Sequence, residues 1–274
     1  MPLEEIPVYS FTEAINRGFS KQSIVYDEAD HNNKILTDLR RQVYVHVEAY
    51  LKPESHILEI NAGTGLDAQY FVSKGHRVHA TDLSDGMVAQ MRSKISLGDC
   101  AGRFTCQQVS FEDLDQVPMK NFDYVFSNFG GLNCIRDLSL VTRHLPLLLR
   151  PGGYITWVIM PPVCPWELLS IFKGKWRQVF RRWNKNGTLA HVEGEYFTTY
   201  YHSLKSIRFA LGPSFSFVKS EGLASLSPPP HRSDLPSKHP GIYRMLRKLD
   251  RYCRNRFPFN RWGDHIIVTF QYRV

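Results

Sequence analysis

The sequence of 274 residues lacks the features that mark membrane-spanning, secreted and metal-binding chains. No apolar run reaches the roughly 20 residues that a membrane-spanning helix needs. The N-terminal stretch MPLEEIPVYS is acidic and has no apolar core, so it is not typical of a signal peptide. The five cysteines do not have metal-ligand spacing, and we interpret them as reduced thiols. These absences predict a cytoplasmic protein without a bound metal.

Charge is divided unevenly along a chain whose composition is that of a globular protein. Hydrophobic residues make up 43% and charged residues 22%, and no repeat or low-complexity tract is evident, so one large domain or a domain with a cap is expected. From Pro165 onward, 19 Lys and Arg stand against 7 Asp and Glu, a net charge of +12, whereas the preceding part has a net charge of −4. The basic C-terminal part favours anionic partners.

The segment from His56 to Asp82, HILEINAGTGLDAQYFVSKGHRVHATD, is typical of a strand, a glycine-containing turn, a helix and a second strand. Gly63 and Gly65 lack a Cβ, so the chain can turn sharply and a ligand can approach the backbone. The following helix presents unpaired N–H groups at its N-terminus. Asp82 ends the second strand, where a carboxylate can accept both hydroxyls of a ribose. The pattern predicts a site for an adenosine-containing cofactor.

Two cofactor families use such a turn. Gly63 to Ala68 fits the dinucleotide pattern G-x-G-x-x-G/A, which is a weak signal alone. Glu59 favours another cofactor, because an acid at the end of the first strand is poorly placed beside a pyrophosphate but suits an ammonium group. The stretch Glu59-Ile-Asn61-Ala-Gly63-Thr-Gly65 resembles motif I of the class I S-adenosylmethionine-dependent methyltransferases, acid-x-G-x-G-x-G. Asn61 replaces the first glycine, and Asn tolerates positive φ better than most non-glycine residues.

Later landmarks resemble this family in the same order. The loop after the predicted third strand begins at Ser110, and the resemblance implies that the Ser110 hydroxyl and the backbone N–H of Phe111 hold the adenine. Asn128 begins the loop after the fourth strand, and residues 149–155 match the turn into the fifth. The family implies an α/β fold, a three-layer sandwich, and we expect helical cap insertions in addition to it. Its seven-stranded, mostly parallel sheet has the order 3-2-1-4-5-7-6, with the last strand antiparallel.

The region before the first strand is expected to cover the cofactor. In similar enzymes an aromatic residue at the place of Tyr26 closes over the cofactor, and Arg40 or Arg41 could pair with the methionine carboxylate; we assign Arg41. The resemblance thus implies cofactor contacts for a set of residues drawn from the cover and from four loops. They are Tyr26, Arg41, Glu59, Asn61, Ala62, Gly63, Gly65, Asp82, Leu83, Ser110, Phe111, Glu112, Asn128 and Phe129.

The expected organisation is an N-terminal helical cover (1–50), a cofactor-binding core (51–160) and a C-terminal part (161–274) with two insertions and the last helix and strands of the core. The insertion 161–195 repeats large apolar residues at steps of three and four, which predicts a helix with an aromatic stripe. These residues are Trp166, Leu169, Phe172, Trp176, Phe180 and Trp183. The insertion 228–261 contains the basic segment RMLRKLDRYCRNRF. Together they are expected to form a substrate lid, with core packing, a membrane surface and RNA as alternatives for the stripe.

The catalytic group is less apparent than the cofactor site. Transfer of a methyl group from a sulfonium leaves a neutral thioether, so the leaving group requires no acid, and in-line placement with exclusion of water can suffice. A base is useful only where the nucleophile is a hydroxyl or an ammonium. His202 and Tyr200, in an extended segment before a predicted helix, are the candidates for such a group, and a structural role for His202 is the alternative.

The sequence therefore predicts a methyltransferase that acts on an O, N or C atom of a small or medium-sized metabolite, which the basic part of the chain allows to be anionic. The alternatives are an RNA methyltransferase, a non-catalytic S-adenosylmethionine-binding protein and, more distantly, an NAD-dependent oxidoreductase. A monomer and a homodimer are both compatible with the sequence.

Overall fold

The computed structural model describes residues 9–98, 102–174 and 176–273. Its strands are β1 (His56–Ile60), β2 (Arg77–Asp82), β3 (Phe104–Gln108), β4 (Phe122–Ser127), β5 (Leu149–Ile159), β6 (Thr188–Val192), β7 (Glu195–Thr199), β8 (Phe215–Leu223) and β9 (His265–Tyr272). Seven of them form one sheet in the order β3-β2-β1-β4-β5-β9-β8, and β6 and β7 form a separate hairpin. The predicted order is confirmed, because β8 and β9 are the sixth and seventh strands of the core. As expected, β9 is antiparallel to both of its neighbours.

Helices cover both faces of the sheet. They are α1 (Tyr9–Asn32), α2 (Lys34–Glu48), α3 (Leu66–Ser73), α4 (Asp85–Leu97), α5 (Ser139–Thr142), α6 (Leu145–Leu148), α7 (Pro165–Leu168), α8 (Trp176–Phe180), α9 (Leu204–Leu211), α10 (Leu235–Lys238) and α11 (Pro240–Cys253). Short 3-10 helices occur at Leu114–Gln116, Gly131–Cys134, Leu169–Lys173, Arg181–Trp183 and Pro230–Arg232. Among the described helices, none combines the length and the apolar character that crossing a bilayer requires.

Two apolar cores lie on opposite faces of the sheet, because side chains alternate along each strand. Leu58 and Ile60 of β1 pack on one face with α5, α6 and α9. Ile57 of β1 packs on the other face with α2, α3 and α4 and with Tyr243 of α11. Both faces of the central strands are therefore buried, as is typical of parallel sheets. The result is the three-layer sandwich that the sequence predicts.

Helix α1 and the β6–β7 hairpin lie together over the carboxyl ends of the strands. Ser20 of α1 donates a hydrogen bond to Asp85 at the start of α4. Glu195 of the hairpin forms ion pairs with Arg17 (3.2 Å) and Lys21 (2.9 Å) of α1. A Cβ on Gly86 would lie 2.7 Å from the Cα of Ser20, so helices α1 and α4 are in close contact. The N-terminal helix thus covers the sheet edge at which a cofactor would bind.

The first insertion is not the single aromatic helix that the spacing predicts. The chain turns at Gly174, where φ is +67°, and the segment consists of α7, α8 and two short 3-10 helices. Phe180 is stacked with Trp176 and meets Trp183 edge to face, but the three side chains are 46–57% exposed. The prediction failed because Gly174 ends the helix, so a period of 3.6 residues does not continue through the segment.

The second insertion forms the basic helix that the sequence predicts, but it lies against α2 and is no lid. Tyr243 of α11 donates a hydrogen bond to Asp38 of α2 (2.6 Å), and Arg247 contacts the same carboxylate at 3.9 Å. Asp250 accepts hydrogen bonds from the backbone N–H groups of Leu226 (2.7 Å) and Ser227 (3.0 Å). These contacts hold α11 on the outer surface of the helical layer.

Gly65, in the turn after β1, should tolerate substitution less well than Gly152 of β5. It has a φ of +79°, and a Cβ there would lie 2.9 Å from both Met91 and Phe104. Gly152 has a similar φ of +78° but open space around it. We expect Gly65→Ala to lower the free energy of unfolding by about 2–4 kcal/mol and Gly152→Ala by only about 1 kcal/mol, measured by urea denaturation. Equal losses would mean that the packing around Gly65 is not close.

Candidate active site

A cavity of about 290 Å³ lies at the carboxyl ends of β1, β2, β4 and β5, beneath α1 and the β6–β7 hairpin. This is the edge at which open α/β sheets bind ligands. Eight of the residues predicted to contact a cofactor line the cavity. They are Tyr26, Asn61, Gly63, Asp82, Leu83, Phe111, Asn128 and Phe129. The remaining predicted residues lie behind this wall or outside the cavity.

The floor of the cavity is the turn after β1. Asn61 has a φ of +47° and Gly63 a φ of +59°, so the replacement of the first motif glycine by Asn preserves the turn as expected. The side-chain oxygen of Asn61 accepts a hydrogen bond from Ser127 (2.9 Å), and its side-chain nitrogen has no partner among the described residues. Gly131 packs directly against this amide, where a Cβ would clash. Asn61 therefore connects the turn to the loop after β4.

Asp82 binds the turn to the end of β2. Its two carboxylate oxygens accept backbone hydrogen bonds from Gly63 and Ser84, each 2.8 Å long. Burial raises the pKa of the Asp82 carboxyl to about 6, although these N–H donors favour its ionised form. Each oxygen retains a second lone pair on the cavity side of the turn. The carboxylate can thus accept hydrogen bonds from a ligand without losing its backbone contacts.

The side of the cavity beyond Asp82 is apolar. Leu83, Val109 and Phe111 line it, and they leave a slot suited to a flat ring. The Ser110 hydroxyl is engaged locally, because it accepts a hydrogen bond from the backbone N–H of Glu112 (3.2 Å). Ser110 and Glu112 do not line the cavity, so the predicted contact between the Ser110 hydroxyl and an adenine would require this turn to open.

Arg40 is the arginine that lies against the cavity wall, and Arg41, which was predicted to contact the cofactor, lies elsewhere. Arg40 is buried and pairs with Asp30 (2.6 Å) and Asp67. Its guanidinium also lies 4.8 Å from the ring centroid of Phe129, a residue of the cavity wall. Arg41 lies one helical step away, about 100° around α2, and lines a separate surface groove with Asp38 and α11 residues.

Asp67 is the centre of a buried polar cluster behind the turn. Besides Arg40, it accepts hydrogen bonds from Tyr44 (2.7 Å) and Asn128 (2.8 Å). Asn128 in turn lies in the cavity wall. Burial and the charge of Asp67 raise the pKa of the Glu59 carboxyl well above its usual range, and one oxygen of Glu59 has no partner among the described residues. Glu59 lies under the turn and not in the cavity wall, so an ammonium group could reach it only through the turn.

Ala62 and Gly65 support the turn from behind. Ala62 donates a backbone hydrogen bond to Thr81 of β2 (2.9 Å), and Gly65 donates one to Ala62 (3.0 Å). Thr64 donates a hydrogen bond to Asp27 of α1 (2.5 Å), and Lys94 of α4 contacts the same carboxylate. The turn is therefore held from the strand side and from the covering helix.

The two predicted catalytic residues do not reach the cavity. His202 is buried, its Nε2 hydrogen-bonds the carbonyl of Ile135 (2.9 Å), and burial lowers the pKa of its imidazole, so the ring is neutral near pH 7. The Tyr200 backbone pairs with Asn133, and its ring packs beside Gly187. Both residues lie on a segment whose polar groups hold it in place, which favours the structural alternative, and their catalytic role stays a prediction.

The outer half of the cavity comes from residues that the sequence analysis did not assign. Ile15 and Phe19 of α1 face Val192 and Phe197 of the hairpin, and Met160 at the end of β5 lies between them. A signal for the hairpin was present: two alternating strands flank Glu193–Gly194, and such pairs favour the positive φ values of a tight turn. The observed φ values are +47° and +85°.

These features define a class of protein. A model of a methyltransferase domain family matches residues 57–153, which span β1 to the start of β5. Together with the strand order, this match shows that the chain has the fold of the class I S-adenosylmethionine-dependent methyltransferases.

The chain is similar to several particular members of this class. It is 25% identical over 198 residues to a malonyl-(acyl-carrier protein) O-methyltransferase of Hamiltonella defensa, covering 70% of each chain. Its fold is similar to that of the Burkholderia thailandensis 1,6-didemethyltoxoflavin-N1-methyltransferase, solved with 1,6-didemethyltoxoflavin and S-adenosylhomocysteine (TM-score 0.58, 16% identity, 100% of this chain and 93% of that one). An S-adenosylmethionine-dependent methyltransferase of Mesorhizobium loti has a TM-score of 0.54 at 16% identity, covering 89% of this chain and 97% of that one.

Substitution of the two neighbouring arginines of α2 should change the free energy of unfolding by very different amounts. Arg40→Gln leaves two buried carboxylates without their cation, so we expect the free energy of unfolding to fall by about 3–5 kcal/mol. Arg41→Gln removes an exposed charge and should change it by less than about 0.5 kcal/mol. Urea denaturation followed by circular dichroism measures both. A stable Arg40→Gln protein would show that Asp30 and Asp67 do not depend on this guanidinium.

Proposed function

We propose that the protein transfers a methyl group from S-adenosylmethionine to an uncharged, largely apolar small molecule. The observation that carries the proposal is the division of the cavity. A polar inner part is formed by Asp82 and the glycine turn, and an apolar outer part is formed by α1, Met160 and the hairpin. The inner part suits an adenosine-containing cofactor, and the outer part has the size and character of an acceptor pocket.

The inner part fits the cofactor group by group. Asp82 would accept the ribose hydroxyls, and the apolar slot of Leu83, Val109 and Phe111 would enclose the adenine. Toward the methionine end, the amide nitrogen of Asn61 in the cavity wall has no partner among the described residues, and behind the wall the same holds for Arg40 Nε and an oxygen of Glu59. Because buried polar groups are usually hydrogen-bonded, unpartnered atoms beside a cavity indicate where a polar ligand would bind.

The residues of this chain would act mainly by placing the reactants. The bound cofactor supplies a methyl group on a positive sulfonium. That group would be transferred to an electron pair of the acceptor as the carbon–sulfur bond gives its electrons to sulfur, and residues of this chain would hold the two reactants in line. Phe19 and Phe197, whose ring centroids are 5.7 Å apart, would exclude water and align the acceptor. Because neither His202 nor Tyr200 lines the cavity, a nucleophile that requires no protein base fits best.

The charge of the cavity favours an uncharged acceptor over an anionic one. Asp82 is the one charged residue in the cavity wall among the described residues, and no Lys or Arg lines it. A carboxylate or phosphate bound in the outer part would therefore be buried without a cation, which is costly. None of the basic residues of 228–261 contributes to the wall. The predicted preference for an anionic metabolite or for RNA thus finds no support at the site.

Loss of the Asp82 carboxylate should abolish tight cofactor binding. We expect Asp82→Asn to raise the dissociation constant of S-adenosylhomocysteine about 10- to 100-fold, because hydrogen bonds to a charged acceptor each contribute about 1.5–3 kcal/mol. Isothermal titration measures this, and Asp115→Asn, an exposed carboxylate with 66% of its side chain accessible, is the control. Wild-type affinity in Asp82→Asn would contradict the assigned site.

The affinity for S-adenosylhomocysteine should fall as the pH is lowered. The ionised Asp82 accepts the ribose hydroxyls, and its pKa of about 6 means that protons compete with the ligand at lower pH. Between about pH 7.5 and about pH 5, we expect the dissociation constant of S-adenosylhomocysteine to rise about tenfold in the wild type. S-adenosylhomocysteine has no group that titrates in this window. Asp82→Asn should show little pH dependence, and an equal dependence in both proteins would assign the effect to another group.

A substitution in the acceptor pocket should reduce methyl transfer without reducing the affinity for the cofactor. Phe197 of β7 is buried against the cavity, whereas its neighbour Tyr196 is 53% exposed on the other side of the strand. In a labelled-methyl assay with phenols, aromatic amines, nitrogen heterocycles and thiols, we expect Phe197→Ala to lower transfer at least about tenfold without weakening cofactor binding, and Tyr196→Ala to have little effect. Carboxylates of the same skeletons should react poorly. Preferential methylation of carboxylates would overturn the proposed acceptor class.

A further inference from the structure

Helix α11 presents an apolar stripe to solvent. Ile242, Met245, Leu249 and Tyr252 are 50%, 54%, 44% and 66% exposed in the described structure. Their spacing of three, four and three residues puts them on one face of the helix. The stripe extends about 15 Å along the helix axis. A row of four large apolar side chains on one exposed face indicates a binding surface, since single exposed residues would be scattered.

The stripe is not the side by which α11 is attached to the protein. Tyr243 and Asp250 are the buried residues of the helix, and they bind Asp38 of α2 and the backbone of Leu226 and Ser227. In projection, Tyr243 and Asp250 lie about 130° from the centre of the stripe. The attachment therefore leaves the apolar face free within the described part of the chain.

Lys248 borders the stripe, Arg244 and Arg251 lie farther round α11, and no exposed acid of this helix accompanies them. Arg244, Lys248 and Arg251 are exposed and make no ion pair with another described residue. Asp250, the one acidic residue of α11, is turned inward and is capped by two backbone N–H groups. Just beyond the helix, the Arg256 guanidinium lies 3.8 Å from the ring centroid of Tyr252. The exposed surface of this helix thus combines apolar side chains with positive charge alone.

We propose that α11 docks this protein onto the surface of a lipid bilayer that contains anionic phospholipids. The apolar stripe would enter the boundary between headgroups and acyl chains, and the cations of the same helix would contact the negative headgroups. A second copy of this chain fits less well, because it would bring two positive helices together. The proposal is independent of the methyl-transfer assignment, since no residue of α11 lines the cavity.

The aromatic part of the first insertion is connected to α11 through Leu226. Trp166 donates a hydrogen bond to the carbonyl of Leu226 (3.1 Å), and Asp250 of α11 accepts one from the Leu226 N–H. One short segment therefore holds both elements. Phe172 and Trp176 of the insertion are 85% and 57% exposed. Amphipathic aromatic rings are favoured at membrane interfaces, so these residues are suited to contribute to the same attachment.

Sedimentation with vesicles tests the proposal. The probes are vesicles of phosphatidylcholine alone and vesicles with about 30 mol % phosphatidylglycerol. We expect the full-length protein to bind the anionic vesicles, to bind the neutral ones much more weakly, and to dissociate as salt is raised. Met245→Glu/Leu249→Glu should lower the partition coefficient at least about tenfold, because charges on the apolar face oppose insertion. Arg244→Gln/Lys248→Gln/Arg251→Gln should lower it about fivefold for each cation.

Phe209→Glu is the matched control. Phe209 is 88% exposed, but it lies on α9, which packs on the opposite face of the sheet from α11. It should bind vesicles as the wild type does. All variants should keep the wild-type melting temperature and affinity for S-adenosylhomocysteine, so that reduced vesicle binding is not due to unfolding.

Three results would overturn the proposal. The first is no binding of the wild type to anionic vesicles. The second is undiminished vesicle binding by Met245→Glu/Leu249→Glu. The third is a different partner for the same residues without any vesicle binding. That partner would be transfer RNA if binding requires the three cations, or a second copy of the chain if Met245→Glu/Leu249→Glu abolishes a dimer seen by light scattering.

Discussion

The carboxylate of Asp82 is the contact on which the site depends. It accepts the backbone N–H of Gly63 after β1 and that of Ser84 after β2, so one side chain joins the two loops that form the floor of the cavity. The bond also requires the positive φ of the turn, which Asn61 and Gly63 adopt. Because the same carboxylate is partly deprived of solvent and keeps free lone pairs, it is ready to accept a ligand's hydroxyls. One group therefore serves both the fold and the proposed binding of cofactor.

The cover above this floor is built from segments that are far apart in sequence. Helix α1 and the β6–β7 hairpin meet through the ion pairs of Glu195 with Arg17 and Lys21. Both ion pairs are exposed and are expected to be weak. The floor is held by buried hydrogen bonds and the cover by surface contacts, so the cover is the part that can move to admit an acceptor.

The sequence predicted what depends on local pattern. The turn geometry follows from glycine placement and the helix of residues 240–253 from its composition, whereas the strand order came from the resemblance to the family. The choice between Arg40 and Arg41 depended on helical phase: Arg40 shares a face with Val43, Tyr44 and Val47, a signal that was present and not applied. The prediction that the second insertion forms a substrate lid failed for another reason. Whether a helix lies over a cavity or on the outside of α2 depends on contacts such as Tyr243 with Asp38, which no local pattern contains.

The most direct measurement of the central claim is a crystal structure of the protein with S-adenosylhomocysteine. The account predicts both ribose hydroxyls within hydrogen-bonding distance of Asp82, the adenine between Leu83 and Phe111, and the sulfur directed toward Phe19 and Phe197. The methionine carboxylate should lie on the Arg40 side of the turn. Binding of the ligand in another place, such as the groove of Arg41, or with Asp82 contacting no hydroxyl, would contradict the account.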